Sequence, residues 1–197
     1  MMSFILSLIA VVNGLPYKPP SQMFHVPNAH TKQYHPFFDR FPHDNLLDNC
    51  TENYFEQVLD HYNFRPAVNG QLTYQQRYFV CGGKNWTPNS TIFYYTGNEA
   101  DVELYLNATG LMWENADAYN AIMVFAEHRY FGKSLPFGSN EQDMKNDYLY
   151  YLSSDQALAD YAVLMEYLKN NWNSWDSPVI GFGGSYGGML CTWFRIK

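Results

Sequence analysis

The stretch Val179-Ile-Gly-Phe-Gly-Gly-Ser-Tyr-Gly-Gly-Met-Leu-Cys-Thr-Trp-Phe194 decides how the chain is read. Its first four residues are an apolar run of strand length, introduced by Asp176-Ser-Pro178. Its last six can begin a helix. Between them, Gly183-Gly184-Ser185-Tyr186-Gly187 fits Gly-x-Ser-x-Gly. Strand, sharp turn centred on a serine, then helix is the context in which this motif carries chemistry. So sharp a turn makes Cβ atoms two residues either side of Ser185 crowd each other, and glycine at 183 and 187 removes them. The serine is held in a strained conformation with its hydroxyl lifted clear of the sheet edge. Ser185 is the expected nucleophile, and the backbone N–H of Tyr186 an expected oxyanion donor. A dinucleotide fingerprint starting at Gly181 fails, because Tyr186 occupies the third glycine's place.

Upstream, short strands alternate with helical segments. Residues 71–81 read as a strand closed by a Gly82-Gly83 turn, and 91–96 as a second strand ended by Gly97. Residues 102–119 carry helical spacing. The continuous apolar run 121–126 suits a strand buried on both faces. Ser153 and Gln156 form a capping box, with Asp155 in the first helical turn and Lys169 near the end. Leu158, Tyr161, Ala162, Met165, Leu168 and Trp172 make one apolar stripe. This alternation predicts an α/β fold with a mainly parallel sheet and flanking helices.

In folds with this elbow, a second oxyanion donor comes from the loop after the third strand. Here that loop is Gly97-Asn-Glu-Ala-Asp101, and a backbone N–H at Asn98 or Glu99 is the candidate. Glu127-His-Arg-Tyr130 ends the next strand. The order Ser, Asp or Glu, His of this fold argues against a triad role for His128, so the segment reads as a hydrogen-bonded loop base. All six histidines precede Ser185, and a complete triad in the expected order does not fit in this chain.

The N-terminus reads as a secretory leader, 1–14. Phe4 to Val12 is apolar but far below the ~20 residues that span a bilayer, and no second segment is long enough to anchor the chain. Residues 15–53, rich in Pro, His and Asn, read as a propeptide-like or extended segment, and 54–197 as a partial catalytic domain. His25, His30 and His35 recur every five residues, which matches neither a helical nor a strand face, so no metal site is expected. No cofactor is expected either. Four acceptors for N-glycosylation, Asn49, Asn85, Asn89 and Asn107, support a secretory route. The three cysteines, Cys50, Cys81 and Cys191, leave one thiol without a partner within the chain. A net charge of −7, with no Lys/Arg run, argues against nucleic acid as a partner.

Several segments together resemble one family: 54–62 (Tyr-Phe-Glu-Gln-x-x-Asp-His-Tyr), 94–99 (Tyr-Tyr-Thr-Gly-Asn-Glu), 125–138 (Phe-Ala-Glu-His-Arg-Tyr-Phe-Gly-Lys-Ser-Leu-Pro-Phe-Gly), 155–160 (Asp-Gln-Ala-Leu-Ala-Asp) and 183–190. They look like the serine carboxypeptidase family that includes lysosomal Pro-X carboxypeptidase, dipeptidyl peptidase II and thymus-specific serine protease. The resemblance implies an α/β-hydrolase fold with a helical cap inserted later, peptide substrates cleaved next to proline or a similar small residue, and a lysosomal or secreted setting. It places Ser185 on the family nucleophile. It also implies that the family's Asp and His lie downstream with the cap, so the expectation is the N-terminal part of that fold, truncated after the elbow helix. A homodimer is carried as an option for a complete form. Ala100 departs from the glycine usual in the family at the oxyanion loop. Carboxypeptidase and dipeptidyl-peptidase specificities both stay open, as do an esterase or lipase on the same fold and an inactive secreted glycoprotein.

Overall fold

A computed structural model describes residues 46–62, 70–139, 143–144 and 148–197. The expected leader and His25, His30 and His35 lie outside the described residues. Five strands form one sheet: β1 (Cys50–Val58), β2 (Thr73–Gly82), β3 (Ile92–Thr96), β4 (Ile122–Ala126) and β5 (Val179–Phe182). Among the described residues four α-helices accompany them: α1 (Val102–Ala108), α2 (Gly110–Ala116), α3 (Ser154–Asn171) and α4 (Ser185–Ile196).

The strand order is β1-β2-β4-β3-β5. β2 runs antiparallel to both neighbours, whereas β4, β3 and β5 pair in parallel. Four of the five strands therefore point the same way and β2 alone is reversed. A tight connection serves an antiparallel pair, but the parallel strands need helical crossovers. α1 and α2 carry the chain from β3 to β4, and α3 carries it from β4 past β3 to β5.

Alternation along the strands feeds two cores. Tyr78, Ile92, Tyr94, Val124 and Ala126 pack against Ala157, Leu158, Tyr161, Leu164, Met165 and Leu168 of α3 and Leu190 of α4. Phe79, Phe93, Tyr95, Met123, Phe125 and Phe182 point the other way, onto Val102, Leu106, Met112 and Ala116 of α1 and α2. The result is a sheet with helices on both faces. Each large side chain so buried contributes about 1.5–3 kcal/mol. At β5 the helix sits close: a Cβ on Gly181 would come within 2.6 Å of Cys191 Sγ.

Several details differ from the sequence expectation. β1 begins at Cys50, inside the stretch 15–53, and its first residues pair with β2 from Tyr78 to Cys81. Cys50 and Cys81 face each other in this register and are joined by a disulfide, which leaves Cys191 as a buried free thiol. The helix over 102–119 is two short helices, broken at Thr109, whose hydroxyl donates to the Tyr105 carbonyl. Only half of the capping box exists. Ser153 Oγ accepts from the Gln156 N–H, but the Gln156 carboxamide turns away, donating to Asp60 and accepting from the His61 N–H. Ala162 is exposed, and Leu164 takes the place in the buried stripe that the periodicity gave it.

Candidate active site

Crossovers leaving β3 and β5 head for opposite faces of the sheet. The C-terminal ends of those strands are therefore a topological switch point, the place where open α/β sheets bind ligands. Loop 97–101 forms one side and the turn after β5 the other.

At that turn Ser185 is the first residue of α4, with φ +52. A left-handed backbone at a residue other than glycine is strained and persists only when its surroundings over-determine it. The surroundings do so here. Gly184 enters in an extended conformation (φ −121, ψ 149), and Gly183, Gly184 and Gly187 are buried while Ser185 is exposed. A Cβ at Gly183 would lie 2.5 Å from the Gly187 carbonyl carbon, and a Cβ at Gly187 would lie 2.7 Å from the Thr96 carbonyl oxygen. Both glycines are thus sterically required, but each for backbone approach rather than for mutual Cβ crowding.

The loop after β3 is bound to the elbow through side chains. Thr96 Oγ1 shares its proton between the carbonyls of Gly187 (2.8 Å) and Phe182 (3.1 Å). Asn98 Nδ2 donates to the Gly184 carbonyl at 3.1 Å. Asn98 is buried and Glu99 exposed. Gly97 lets the loop pass β4 closely, since a Cβ there would meet the Ala126 carbonyl oxygen at 2.5 Å. Ala100 adopts no positive φ, so the loop does not need a glycine there. The structure therefore brings Asn98 and Tyr186, two of the expected oxyanion donors, onto one elbow. The Thr96 hydroxyl and the Asn98 carboxamide are contributions the sequence reading missed; a side chain reaching across two strands leaves no local pattern.

Segment 127–130 is committed to structure. Glu127 is buried and accepts from Arg77 Nη2 (2.6 Å) and Nε (3.2 Å), from the Val102, Lys133 and Ser134 amides and from Ser134 Oγ. Arg129 meets Asp160 in a second buried pair (2.6 and 2.7 Å), joined by Tyr74 Oη and His61 Nε2, each 2.8 Å from Asp160. Although burial works against it, the Arg129 guanidinium, with help from His61, holds the Asp160 carboxyl below its usual range.

His128 stands between this framework and the elbow. Its Nδ1 lies 2.7 Å from the Arg129 carbonyl, which only accepts, so Nδ1 carries the ring proton. Nε2 is then an acceptor, 3.4 Å from the Tyr186 hydroxyl. Burial pushes the imidazole below its ordinary pKa and keeps it neutral. Burial, and then the Glu99 carboxylate, push the Tyr186 phenol up and keep it a donor. Among the described residues no imidazole bonds the Ser185 hydroxyl, and no group of three or more His, Cys, Asp or Glu is placed to hold a metal. The four glycosylation acceptors Asn49, Asn85, Asn89 and Asn107 are all exposed.

Known proteins share this region. The chain is 48% identical over 155 residues to human lysosomal Pro-X carboxypeptidase, covering 77% of this chain and 30% of that protein. It is 43% identical over 148 residues to prolyl carboxy peptidase like protein 5 of Caenorhabditis elegans, covering 74% and 28%. Mouse thymus-specific serine protease is 35% identical over 147 residues, covering 74% and 27%. The chain thus spans under a third of the length of these relatives. The family model for serine carboxypeptidase S28 matches residues 57–197, from the end of β1 through the elbow helix, and the chain belongs to that family.

Proposed function

We propose that the protein is the part of a serine exopeptidase that supplies the nucleophile, and that its complete form cleaves peptides next to proline. The observation that carries this is the exposed Ser185 at φ +52, at a strand-to-helix turn inside the region shared with Pro-X carboxypeptidases. The elbow after β5 and the loop after β3 that reaches it also support an α/β-hydrolase architecture.

Ser185 Oγ attacks the scissile carbonyl carbon and its proton passes to a histidine base. By the chain order of such folds, that base lies C-terminal to the nucleophile. The tetrahedral oxyanion takes hydrogen bonds from the Tyr186 N–H and from the N–H of Asn98 or Glu99. Collapse breaks the C–N bond, the amine leaves with the proton, and water then hydrolyses the acyl ester. Exposure of all four acceptor asparagines supports a glycosylated surface, and the lysosomal relatives support a lysosomal or secreted setting. No helix among the described residues is long and apolar enough to cross a membrane.

The test is to assay a form as long as the relatives on peptides ending in Pro-X, on dipeptidyl substrates and on simple esters. Turnover of prolyl peptides that is abolished by Ser185→Ala is expected. Turnover of esters alone would replace the peptidase reading with an esterase.

A further inference from the structure

Three side chains from the C-terminal ends of β3 and β4 reach the elbow, and each holds a different residue of it. Thr96 holds the Gly187 carbonyl, Asn98 the Gly184 carbonyl, and His128 faces the Tyr186 hydroxyl. Ser185 lies in the middle of the held residues, and none of the three bonds its hydroxyl.

Asn98 is the most informative. It is 4% exposed, and its Oδ1 is buried with no partner among the described residues. A buried, unsatisfied amide oxygen is destabilising, whereas an apolar side chain of the same shape would remove the penalty. That replacement would also delete the Nδ2 bond to Gly184. The Gly184 carbonyl accepts the Gly188 N–H as well, at 3.1 Å, which closes the first turn of α4. Asn98 therefore adds a second donor to the carbonyl just before the left-handed residue. Without the Asn98 bond the Gly184 carbonyl keeps only the Gly188 N–H, which weakens the hold on Ser185 at positive φ.

We propose that Asn98, assisted by Thr96 and His128, is a positioning residue that locks Ser185 in its left-handed conformation and fixes the spacing between the Asn98 and Tyr186 amides. The proposal rests on the reading of Ser185 as nucleophile and extends it. The Asn98 side chain ties its own backbone amide to the elbow that carries the Tyr186 amide. One residue thereby sets the width of the oxyanion site.

Hydrogen exchange on the full chain tests the lock without requiring turnover. In Asn98→Leu the Gly188 amide should exchange about tenfold faster, the effect of losing one hydrogen bond, while amides of β2 and β4 stay unchanged. An unchanged Gly188 amide, or one that shifts in proportion with β4, overturns the proposal. Tyr186→Phe gives a second reading that leaves the buried carboxamide in place, should Asn98→Leu not fold. Imidazole ¹⁵N spectra should show an unprotonated Nε2 on His128 that shifts when the phenol hydroxyl is removed. A protonated Nε2, or no shift, overturns the His128 part of the lock. A serine-directed fluorophosphonate, applied to a form that turns over peptides, separates this proposal from its foundation. If wild-type Ser185 does not label, the nucleophile reading falls. If it labels and Asn98→Leu labels at the same rate, the positioning role alone falls. The expected result is labelling about tenfold slower, with kcat reduced and KM unchanged.

Discussion

Arg77 and Glu127 meet in a two-pronged, fully buried ion pair that ties the reversed strand β2 to the end of β4. The same guanidinium reaches Asp101 (2.5 Å) and Glu103 (2.8 Å) at the start of α1, while Glu127 also accepts the Val102 amide. One buried pair thus anchors the C-terminal end of the loop that approaches the elbow. Breaking a buried pair leaves an uncompensated charge and costs about 3–5 kcal/mol. Glu127→Gln should fall near the lower limit, because Asp101 and Glu103 still partly neutralise Arg77. Glu103→Gln, at a carboxylate 36% exposed, should cost less than about 1 kcal/mol. Urea denaturation of the two variants checks the contrast, and equal losses would remove the anchoring role.

Strain at Ser185 gives a prediction about stability that is separate from the chemistry of its hydroxyl. A left-handed residue with a Cβ costs about 1–2 kcal/mol, and glycine's larger unfolded-state entropy returns about 0.5–1 of that. Ser185→Gly should therefore be more stable than Ser185→Ala by about 0.5–1 kcal/mol, although both lack the hydroxyl. Gly183→Ala should lose about 2 kcal/mol or more, because its new Cβ meets the Gly187 backbone, which has nowhere to move. Thermal unfolding of the three variants decides the order.

The elbow was legible in the sequence because every part of it is local: an apolar strand, two sterically required glycines and an apolar helix within sixteen residues. α3 was legible for the same reason, through Ser153 and a long periodic stripe. What could not be read depends on distant partners. β1 is a polar outer strand whose covered face shows little beyond Phe55 and Gln57, and its place is fixed by pairing with β2 and by Cys81. Gln156 reads as half of a capping box until Asp60 and His61, about 95 residues away in the chain, claim its carboxamide. The break at Thr109 had a local signal, a threonine followed by glycine, which the apolar spacing on both sides outweighed. Nothing in sequence order announces that Arg77 meets Glu127, or Arg129 meets Asp160.

Cysteine chemistry follows from the pairing. The Cys50–Cys81 bond closes a loop of 31 residues between the edge strand β1 and its neighbour β2. Losing such a cross-link costs about 2–4 kcal/mol, so Cys50→Ser and Cys81→Ser should each lower the urea midpoint. Cys191 is buried against Gly181, and burial pushes its thiol up to about 11, so little thiolate is present at neutral pH. Alkylation followed by mass spectrometry should add no label to the native protein, one after denaturation and three after denaturation with reduction. A label on native Cys191 would contradict its burial.

His128 makes stability depend on pH in a defined window. Burial lowers its folded-state pKa below the ordinary 6.5, so the unfolded chain binds the proton first. Stability is therefore fully present above about pH 6.5 and declines as pH falls from there towards the folded pKa, with a slope of at most about 1.4 kcal/mol per unit. Asp160 acts lower. Its depressed pKa contributes stability that is present above the unfolded value of 3.8 and is lost as pH falls through the folded one. Between pH 6.5 and 5 the imidazole is thus separable from the carboxylate. His128→Phe should flatten the decline there while leaving the loss below pH 3.8, and Asp160→Asn should do the reverse. Urea midpoints measured across both windows check the assignment. A His128→Phe profile that kept the wild-type slope between pH 6.5 and 5 would show that another group titrates there and that His128 is not held neutral against Tyr186.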